Sequence, residues 1–281
     1  MTFCGAFWAL VLTMTAIARP GRSEVIMPSL TYRRLADIVA WTGLKPRFCE
    51  VDTQTMAISA ETAPPCINEN TALILAPHQI INCCDVAGLT ALAAEHDLPL
   101  LFDSVESTYE WMDGRKTGGN GNAEVYSIHA SKLINGFEGG YVTTNDGALA
   151  HRVSLRSGFG FDRLDSINET GGMNAKLNEV HAAMALASMD DLEARVRRNE
   201  IRYRAYQYAF AKVPSIRLLE FDESQKPGFK NIVVELEDDW PLSRADTIRL
   251  LHGEMRWCAP ITRRPSTKRI CAIRMCRPRC R

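Results

Sequence analysis

A single lysine in the stretch SIHASKLINGFEGG, residues 127–140, is the strongest candidate for chemistry in this sequence. Small and apolar residues surround Lys132, and a carboxylate and two glycines follow it. A lysine that reacts as a nucleophile must be partly desolvated and held at a fixed point, which a strand end provides and an exposed helix face does not. Lys132 lies just past the strand predicted in AEVYSIH. We therefore expect it at the C-terminal end of that strand, where open α/β sheets bind ligands.

Two further polar residues accompany this lysine at predicted strand ends. Asp103 ends the apolar run PLLFD. Ser127 lies on the predicted strand AEVYSIH, five residues before Lys132. A pyridoxal phosphate enzyme needs a lysine amine, a carboxylate that keeps the pyridine nitrogen protonated, and hydroxyl and N–H groups for the phosphate. A lone lysine near a strand end is usually only a solvated side chain. The joint occurrence of Lys132, Asp103, Ser127 and the EGG sequence is what favours this chemistry.

The elements that must position these residues follow from hydrophobic periodicity. Strands are predicted in EVIMP, PRFCEV, TALILA, PLLFD, AEVYSIH and GGYVTT, and helices in LADIVAW and DVAGLTALAAEHD. This alternation predicts an α/β domain with a mostly parallel sheet flanked by helices. Residues 178–212 have a helical pattern almost throughout. They lead toward a second domain that begins with the strand NIVVEL and the helix RADTIRLLH.

Domain boundaries follow from these patterns and from a change in composition near residue 256. We predict a large cofactor-binding domain over residues 1–195, a partial small C-terminal α+β domain over 196–255, and an atypical tail over 256–281. The tail has nine Lys or Arg, no Asp or Glu, and four of the nine cysteines. One interpretation is a basic nucleic-acid or metal-binding tail. We favour frame-shifted sequence, because one clear strand and one clear helix before it are too few to close a core.

Overall composition argues against several kinds of partner. Lys plus Arg and Asp plus Glu are 33 each, so nothing favours nucleic acid or an acidic membrane as partner. The cysteines form neither a disulfide framework nor a zinc-type array, so we expect a reducing, cytoplasmic setting and no metal site. The apolar run over residues 4–18 is shorter than a membrane span and no basic residue precedes it. We interpret it as a buried helix, with a secretory signal peptide as the alternative.

Four motifs in one order carry a resemblance to a known family: PSLTY, FDSVES, SIHASKLINGFEGGYVTT and GGMNAKLNEVHAAMAL. Through them the chain, from about residue 4 to about residue 212, resembles the DegT/StrS family of pyridoxal phosphate dependent aminotransferases. Many members of that family act on nucleotide-linked keto sugars. The resemblance implies a fold type I transferase architecture with a seven-stranded type of sheet, a homodimer with shared active sites, and pyridoxal 5'-phosphate as cofactor.

The resemblance also implies roles for individual residues. Lys132 matches the lysine that holds the cofactor covalently and then moves a proton between substrate and cofactor carbons. Asp103 matches the partner of the pyridine nitrogen, and Ser127 matches a phosphate ligand. Tyr32 falls where the family stacks an aromatic ring on the cofactor. Asn174 matches an asparagine that reaches the cofactor of the neighbouring subunit.

The remaining matches come with departures from the family pattern. Cys4 and Gly5 lie at a small-residue turn whose backbone binds the phosphate at a helix N-terminus. The family segment that usually precedes this turn is missing, and so is most of the small domain that closes over substrate. Glu106 lies near the expected cofactor ring, where relatives commonly have Gln or His. A carboxylate there changes the local charge.

The sequence therefore predicts an aminotransferase with Lys132 as its catalytic residue. The amino donor is an amino acid, glutamate or glutamine by family likeness, and the acceptor is the keto group of a nucleotide-linked sugar or a similar molecule. A sugar 3-dehydratase is disfavoured, because relatives of that type have histidine in place of the lysine. A truncated, inactive fragment that still binds cofactor or dimerises is the alternative that the sequence leaves open.

Overall fold

One mixed sheet organises the first half of the chain. The computed structural model describes residues 1–79, 81–112, 114–162, 166–254, 258–260 and 270–274. The strands of this sheet are β1 (Thr2–Phe3), β2 (Glu24–Pro28), β3 (Lys45–Cys49), β4 (Thr71–Pro77), β5 (Leu100–Asp103), β8 (Ala123–Ser127) and β9 (Gly140–Thr143). Their order is β1-β9-β8-β5-β4-β2-β3, and a separate short hairpin pairs β6 (Trp111–Met112) with β7 (Arg115–Lys116).

The pairing of these strands is mostly parallel, as the sequence predicts. Neighbours from β3 to β8 pair in parallel, whereas β9 runs antiparallel to both β8 and β1. The buried runs TALILA and LLFD form the central strands because both of their faces are covered by helices. The predicted α/β class and sheet are confirmed.

Helices cover both faces of the sheet. They are α1 (Ala6–Ile17), α2 (Leu35–Trp41), α3 (Val86–Glu95) and α4 (Gly147–Ser157). Side chains of α1, α2 and α4 share one core with the strands, and side chains of α3 share a second core on the opposite face. The apolar run near the N-terminus forms α1, the buried helix that we predicted. Among the described residues, no helix is long and apolar enough to cross a membrane.

The long helical pattern after residue 178 forms two helices. They are α5 (Glu179–Asp190) and α6 (Leu192–Phe210), and the chain leaves helical geometry between them at Asp191, with φ −95° and ψ 4°. Aspartate favours helix ends because its carboxylate competes for nearby backbone groups. The break turns α6 toward the second sheet.

A second, antiparallel sheet follows α6. Its strands are β10 (Ile216–Leu218), β11 (Asn231–Leu236), β12 (Cys258–Pro260) and β13 (Ile270–Arg274), in the order β10-β11-β13-β12, and α7 (Arg244–Gly253) precedes β12. The sequence patterns predicted only β11 and α7 here. Two segments of the tail that we interpreted as frame-shifted form strands: residues 270–274 pair with β11, and residues 258–260 pair with 270–274. The other residues of that tail lie outside the described part of the chain, so the interpretation stays untested.

Candidate active site

Two candidate residues lie at the C-terminal ends of neighbouring parallel strands. Asp103 ends β5 and Ser127 ends β8. In the pairing of these strands Asp103 lies opposite Val125, two residues before Ser127, so both side chains project from the same face of the sheet. That face is the one covered by α1. Both residues are buried, with 2% and 7% of their surface exposed.

A closed loop after β8 carries the lysine. Ile128 N–H donates to Gly139 O at 3.0 Å, and Ala130 N–H donates to Phe137 O at 2.9 Å. Inside this loop, Lys132 N–H donates to His129 O at 2.9 Å. The backbone therefore holds Lys132 close to the strand end, as the sequence predicted.

The lysine forms an ion pair with the residue that departs from the family pattern. Lys132 Nζ donates a hydrogen bond to Glu106 Oε1. Only 15% of the lysine side chain and 20% of the glutamate side chain are exposed, so the pair is partly shielded from water. Glu106 lies three residues beyond Asp103 on the loop that leaves β5. The structure thus brings Lys132, Glu106 and Asp103 into one site.

The carboxylate of Asp103 is poorly satisfied. Burial raises the pKa of Asp103 to about 6, against the lowering effects of Val105 N–H and of the Lys132 charge. Within the described part of the chain, this carboxylate accepts a single hydrogen bond, from Val105 N–H at 3.3 Å. A buried carboxylate with so little support suits a cationic partner, such as a protonated ring nitrogen, which would complete its environment.

The turn at Cys4 and Gly5 leads into α1 beside Ser127. Gly5 caps the helix without a side-chain hydrogen bond, and the first turn has no acidic residue. The N–H groups and positive dipole end of that turn suit an anion. Cys4 N–H donates to Ala175 O at 2.8 Å, which fixes the turn against a distant segment.

Close backbone contacts explain why the second residue after Glu138 in the EGG sequence, Gly140, is a glycine. A Cβ atom at Gly140 would lie 2.7 Å from both Ala6 N and Tyr126 O. No side chain fits there, because β9 passes directly under the start of α1. The first glycine, Gly139, has φ +137°, a conformation that residues with side chains rarely adopt. These two positions let the Lys132 loop, the end of β8 and the start of α1 approach one another.

Tyr32 and Asn174 lie in surface positions. Tyr32 follows β2, which β4 separates from β5, and 59% of its surface is exposed. Asn174 is exposed as well, and its backbone forms a bridge with Gly158. Ring stacking by Tyr32 and contact of Asn174 with a neighbouring subunit stay predictions.

A cavity of about 420 Å³ opens beside Lys132 and Glu106. Three arginines of α6 line it, Arg195, Arg198 and Arg202, together with Lys230, which directly precedes β11. Arg195 is held by Leu133 O and Ser188 Oγ, and Lys230 pairs with Glu110 at 2.9 Å. Among the described residues, Arg198 and Arg202 have no ion-pair partner.

The sequence patterns did not predict this group of basic side chains, Arg195, Arg198, Arg202 and Lys230, which we call the basic wall. The signal was available as arginines spaced by three and then four residues, which places them on one helix face. Their distance from the lysine is set by the packing of α6 against the Lys132 loop, which a local pattern does not encode. No cluster of metal-ligating side chains occurs in the described ranges.

Comparison with known proteins identifies relatives of the chain. Residues 1–256 match the model of the DegT/DnrJ/EryC1/StrS aminotransferase family. An L-glutamine:2-deoxy-scyllo-inosose aminotransferase of Streptomyces lividus is 31% identical over 66% of this chain and 46% of that protein. GDP-perosamine synthase of Caulobacter vibrioides is 29% identical over 73% of this chain and 56% of that protein. The chain thus spans about half the length of these two relatives.

A solved structure agrees with the fold over nearly the whole chain. DesI, crystallised in the presence of its TDP-sugar product, superposes with a TM-score of 0.89 at 29% identity. The match covers 98% of this chain and 75% of the DesI chain. The strand order, the position of α1 and the second sheet therefore belong to a known architecture.

Proposed function

The chain belongs to the DegT/DnrJ/EryC1/StrS aminotransferase family, and from this premise we propose that it is a pyridoxal phosphate dependent aminotransferase with Lys132 as its catalytic residue. One observation carries the proposal. A partly shielded lysine, paired with Glu106, lies beside the buried and poorly satisfied carboxylate of Asp103, at adjoining strand ends under the start of α1.

The residues of the site fit the cofactor. Asp103 offers a buried carboxylate for the pyridine nitrogen, and Lys132 offers an amine for the aldehyde carbon. Ser127 and the free N–H groups at the start of α1 offer donors for the phosphate. Bound pyridoxal phosphate supplies an electron sink that stabilises negative charge at the substrate carbon. The aromatic ring of Tyr32 and the backbone of Cys4 and Gly5 complete the proposed set, and Asn174 is assigned to the site of a second subunit.

The chain's own residues supply positioning and proton transfer. Lys132 holds and moves a proton at Nζ, and Glu106 balances the charge whenever that nitrogen is protonated. Glu106, which lies where relatives commonly have Gln or His, therefore forms an ion pair with Lys132 only while Nζ is protonated. Asp103 keeps the ring nitrogen protonated by placing a negative charge beside it in a buried setting.

The substrates that we propose are an amino acid donor, glutamate or glutamine, and a keto group on a nucleotide-linked sugar or a related cyclic acceptor. The names of the relatives support this class, since one is an L-glutamine:2-deoxy-scyllo-inosose aminotransferase and another was crystallised in the presence of its TDP-sugar product. Arg198 and Arg202 support an anionic group on at least one substrate, because guanidinium groups bind phosphates and carboxylates in a bidentate manner.

We propose a homodimer as the working form. Apolar side chains are exposed on α5 and on the Lys132 loop: Val180 (67%), Leu186 (66%), Met189 (49%) and Phe137 (49%). Exposed apolar groups of this size in one region are typical of interaction surfaces. Asn174 lies four residues before Asn178, the N-cap of α5, so this surface adjoins the segment assigned to the neighbouring site. The free thiols at the described cysteines support a reducing compartment, which we propose to be the cytoplasm.

The alternatives receive no support. The candidate cofactor residues at the ends of β5 and β8 lie together in one site, so nothing favours an inactive fragment. Lys132 is present where a sugar 3-dehydratase would need histidine.

Transfer of a labelled amino group tests the proposal. The purified chain with pyridoxal phosphate is incubated with an amino donor that carries ¹⁵N in its α-amino group, either glutamate or glutamine. A panel of keto sugar nucleotides and keto cyclitols serves as acceptors. We expect mass spectrometry to find one acceptor carrying ¹⁵N, and no transfer by Lys132→Ala. Lys45→Ala, an exposed lysine at the far end of β3, is the matched control and keeps its activity. Equal transfer by Lys132→Ala and Lys45→Ala would refute the assignment.

A further inference from the structure

A second acidic residue is buried between the strands of the site, and the proposed chemistry does not use it. Glu124 is the second residue of β8, and none of its surface is exposed. Its partner on β5 is Phe102, so its side chain projects from the face opposite to Asp103 and Ser127. A fully buried carboxylate is rare unless hydrogen bonds compensate its charge.

Six hydrogen bonds surround this carboxylate. Oε1 accepts from the backbone N–H groups of Gly118, Gly119 and Asn120 at 2.9, 2.9 and 2.8 Å, and from Asn120 Nδ2 at 2.7 Å. Oε2 accepts from Ser104 Oγ at 3.0 Å and from Tyr126 OH at 2.6 Å. Burial alone would raise the pKa of Glu124, but these hydrogen bonds lower it. Glu124 is therefore ionised and fully satisfied.

The two hydroxyl donors are sequence neighbours of the proposed cofactor ligands. Ser104 directly follows Asp103, and Tyr126 directly precedes Ser127. The Glu124 carboxylate thus connects Ser104, which follows β5, with Tyr126 on β8. Each of these two residues is next to a proposed cofactor ligand. A displacement of Glu124 would move both strand ends.

Asp103 depends on this support, because the chain leaves the sheet directly after it. Backbone hydrogen bonds fix the strand end on both sides, from His78 N–H to Asp103 O at 3.0 Å and from Ser104 N–H to Val125 O at 2.8 Å. Ser107 Oγ donates to Ser104 O at 3.2 Å within the same loop, whereas the hydrogen bond from Ser104 Oγ to Glu124 connects the loop to the neighbouring strand. It sets where the loop turns, and therefore how the Asp103 side chain is aimed.

We propose that Glu124 is a positioning residue for cofactor binding: through Ser104 and Tyr126 it holds Asp103 and Ser127 in the orientation that the ring nitrogen and the phosphate require. The proposal rests on the proposed function. It extends that function to a residue on the opposite face of the sheet, which does not itself touch cofactor.

The test compares variants that break one link at a time. Ser104→Ala removes the link to the residue after Asp103, Tyr126→Phe removes the link beside Ser127, and Glu124→Gln weakens both. Thr71→Val is the matched control, since Thr71 is fully buried at the other end of β4 and its hydroxyl accepts one hydrogen bond, from Asn68 N–H at 3.0 Å. Thermal unfolding, pyridoxal phosphate affinity and the pH midpoint of the bound cofactor's visible absorbance are measured for each.

The expected results separate positioning from stability. We expect Ser104→Ala to weaken cofactor affinity about fivefold and Glu124→Gln about tenfold or more. Both should move the pH midpoint toward the value found for Asp103→Asn, because the charge beside the ring nitrogen is displaced. Thr71→Val should lower the unfolding temperature while leaving both cofactor readouts unchanged. Lowered unfolding temperatures with unchanged affinity and midpoint in Ser104→Ala would overturn the proposal, even if Glu124→Gln fails to fold.

A readout without cofactor distinguishes this proposal from the proposed function. If the wild-type chain retains no pyridoxal phosphate, the proposed function fails, and urea unfolding between pH 4 and pH 6 then decides the positioning role. In this range the ionisation of Asp103 gives stability a negative slope with pH, taken as the difference from Asp103→Asn because buried His78, with its pKa lowered to about 4, titrates in the same range. Ser104→Ala flattens that slope if Asp103 is released toward water. An unchanged slope in Ser104→Ala would refute the positioning role.

Discussion

At β5 and β8, each face of the sheet buries one carboxylate, and the two carboxylates differ in their hydrogen bonds and in the direction of their pKa shifts. On the face covered by α1, Asp103 accepts one long hydrogen bond within the described residues, and burial raises its pKa to about 6. On the other face, Glu124 accepts six hydrogen bonds, and its pKa is lowered. Both residues are almost entirely buried, so exposure does not explain the difference.

The comparison separates a binding face from a supporting face. A satisfied carboxylate such as Glu124 stabilises the fold that surrounds it. A carboxylate with a single long hydrogen bond, such as Asp103, destabilises the free protein, and a cationic ligand removes that penalty on binding. Proteins keep such unsatisfied groups mainly at functional sites. The contrast therefore points to the α1 face as the place where the cofactor binds.

The largest effect is expected from Asp103→Asn in turnover. An amide at this position removes the charge beside the ring nitrogen, so amino transfer should fall by on the order of 10³-fold. Stopped-flow or steady-state rates with glutamate and the acceptor identified by ¹⁵N transfer provide the measurement. A loss smaller than tenfold would break the distinction between the two faces.

Glu124→Gln should have the next largest effect, and on stability. Replacement of the charge in a six-donor cradle should lower the free energy of unfolding by about 2–3 kcal/mol at pH 7. Because the pKa of Glu124 is lowered in the folded state, its stabilisation is present above about pH 4.5 and disappears as the pH falls further. Urea unfolding at pH 7 and pH 3 should therefore show a gap that closes in acid. A constant gap would show that the charge itself contributes nothing.

Asp103→Asn should act on stability in the opposite direction. The raised pKa means that the folded state binds the proton of Asp103 more tightly than the unfolded state, so the contribution of Asp103 to stability falls as the pH rises from about 4 to about 6. The asparagine variant lacks this loss. Without cofactor it should be more stable than wild type by on the order of 2 kcal/mol above pH 6 and equal to it below pH 4. Equal stability at pH 8 would contradict the poor satisfaction of Asp103.

Removal of the free guanidinium groups should have a smaller effect. Arg198→Ala and Arg202→Ala should each raise KM for an anionic substrate by about five- to tenfold, with kcat within twofold, because each removes about 1 kcal/mol of binding. Arg197→Ala, an exposed arginine of α6 outside the cavity, is the matched control. The effect should shrink at high salt. Equal KM values in all three variants would exclude a role for the basic wall.

The smallest effect is expected from Ser127→Ala. Loss of one phosphate donor should weaken pyridoxal phosphate affinity about fivefold, since the helix N-terminus and other donors remain. Affinity from titration of visible absorbance is the measurement, with Ser154→Ala, an exposed serine of α4, as control. Unchanged affinity would remove Ser127 from the binding face.

Much of the sheet was predictable from local patterns. Glu24–Pro28 forms the strand expected for EVIMP, and PLLFD contains β5 with Asp103 at its end. A buried parallel strand consists of a short apolar run, so the sequence predicts both its position and the polar residue at its end. The position of Lys132 after β8 followed in the same way.

The contacts between distant segments were not predictable. The sequence AEVYS gives no sign that Glu124 is buried, because charged residues in strands usually face water and its six donors come from three separate places in the chain. The strand β10 has only three residues, which is too short for the alternation of apolar and polar side chains to predict a strand. The pairing of Glu106 with Lys132 depends on two loops that meet only in the folded protein.

The visible absorbance spectrum of the chain, after incubation with pyridoxal phosphate and desalting, tests the central role of Lys132 most directly. Wild type and Lys45→Ala should both retain a visible band that fades when glutamate or glutamine is added, and Lys132→Ala should show no such band. A band of equal strength and equal response to the donor in Lys132→Ala, or no retained band in the folded wild-type chain, would contradict the account.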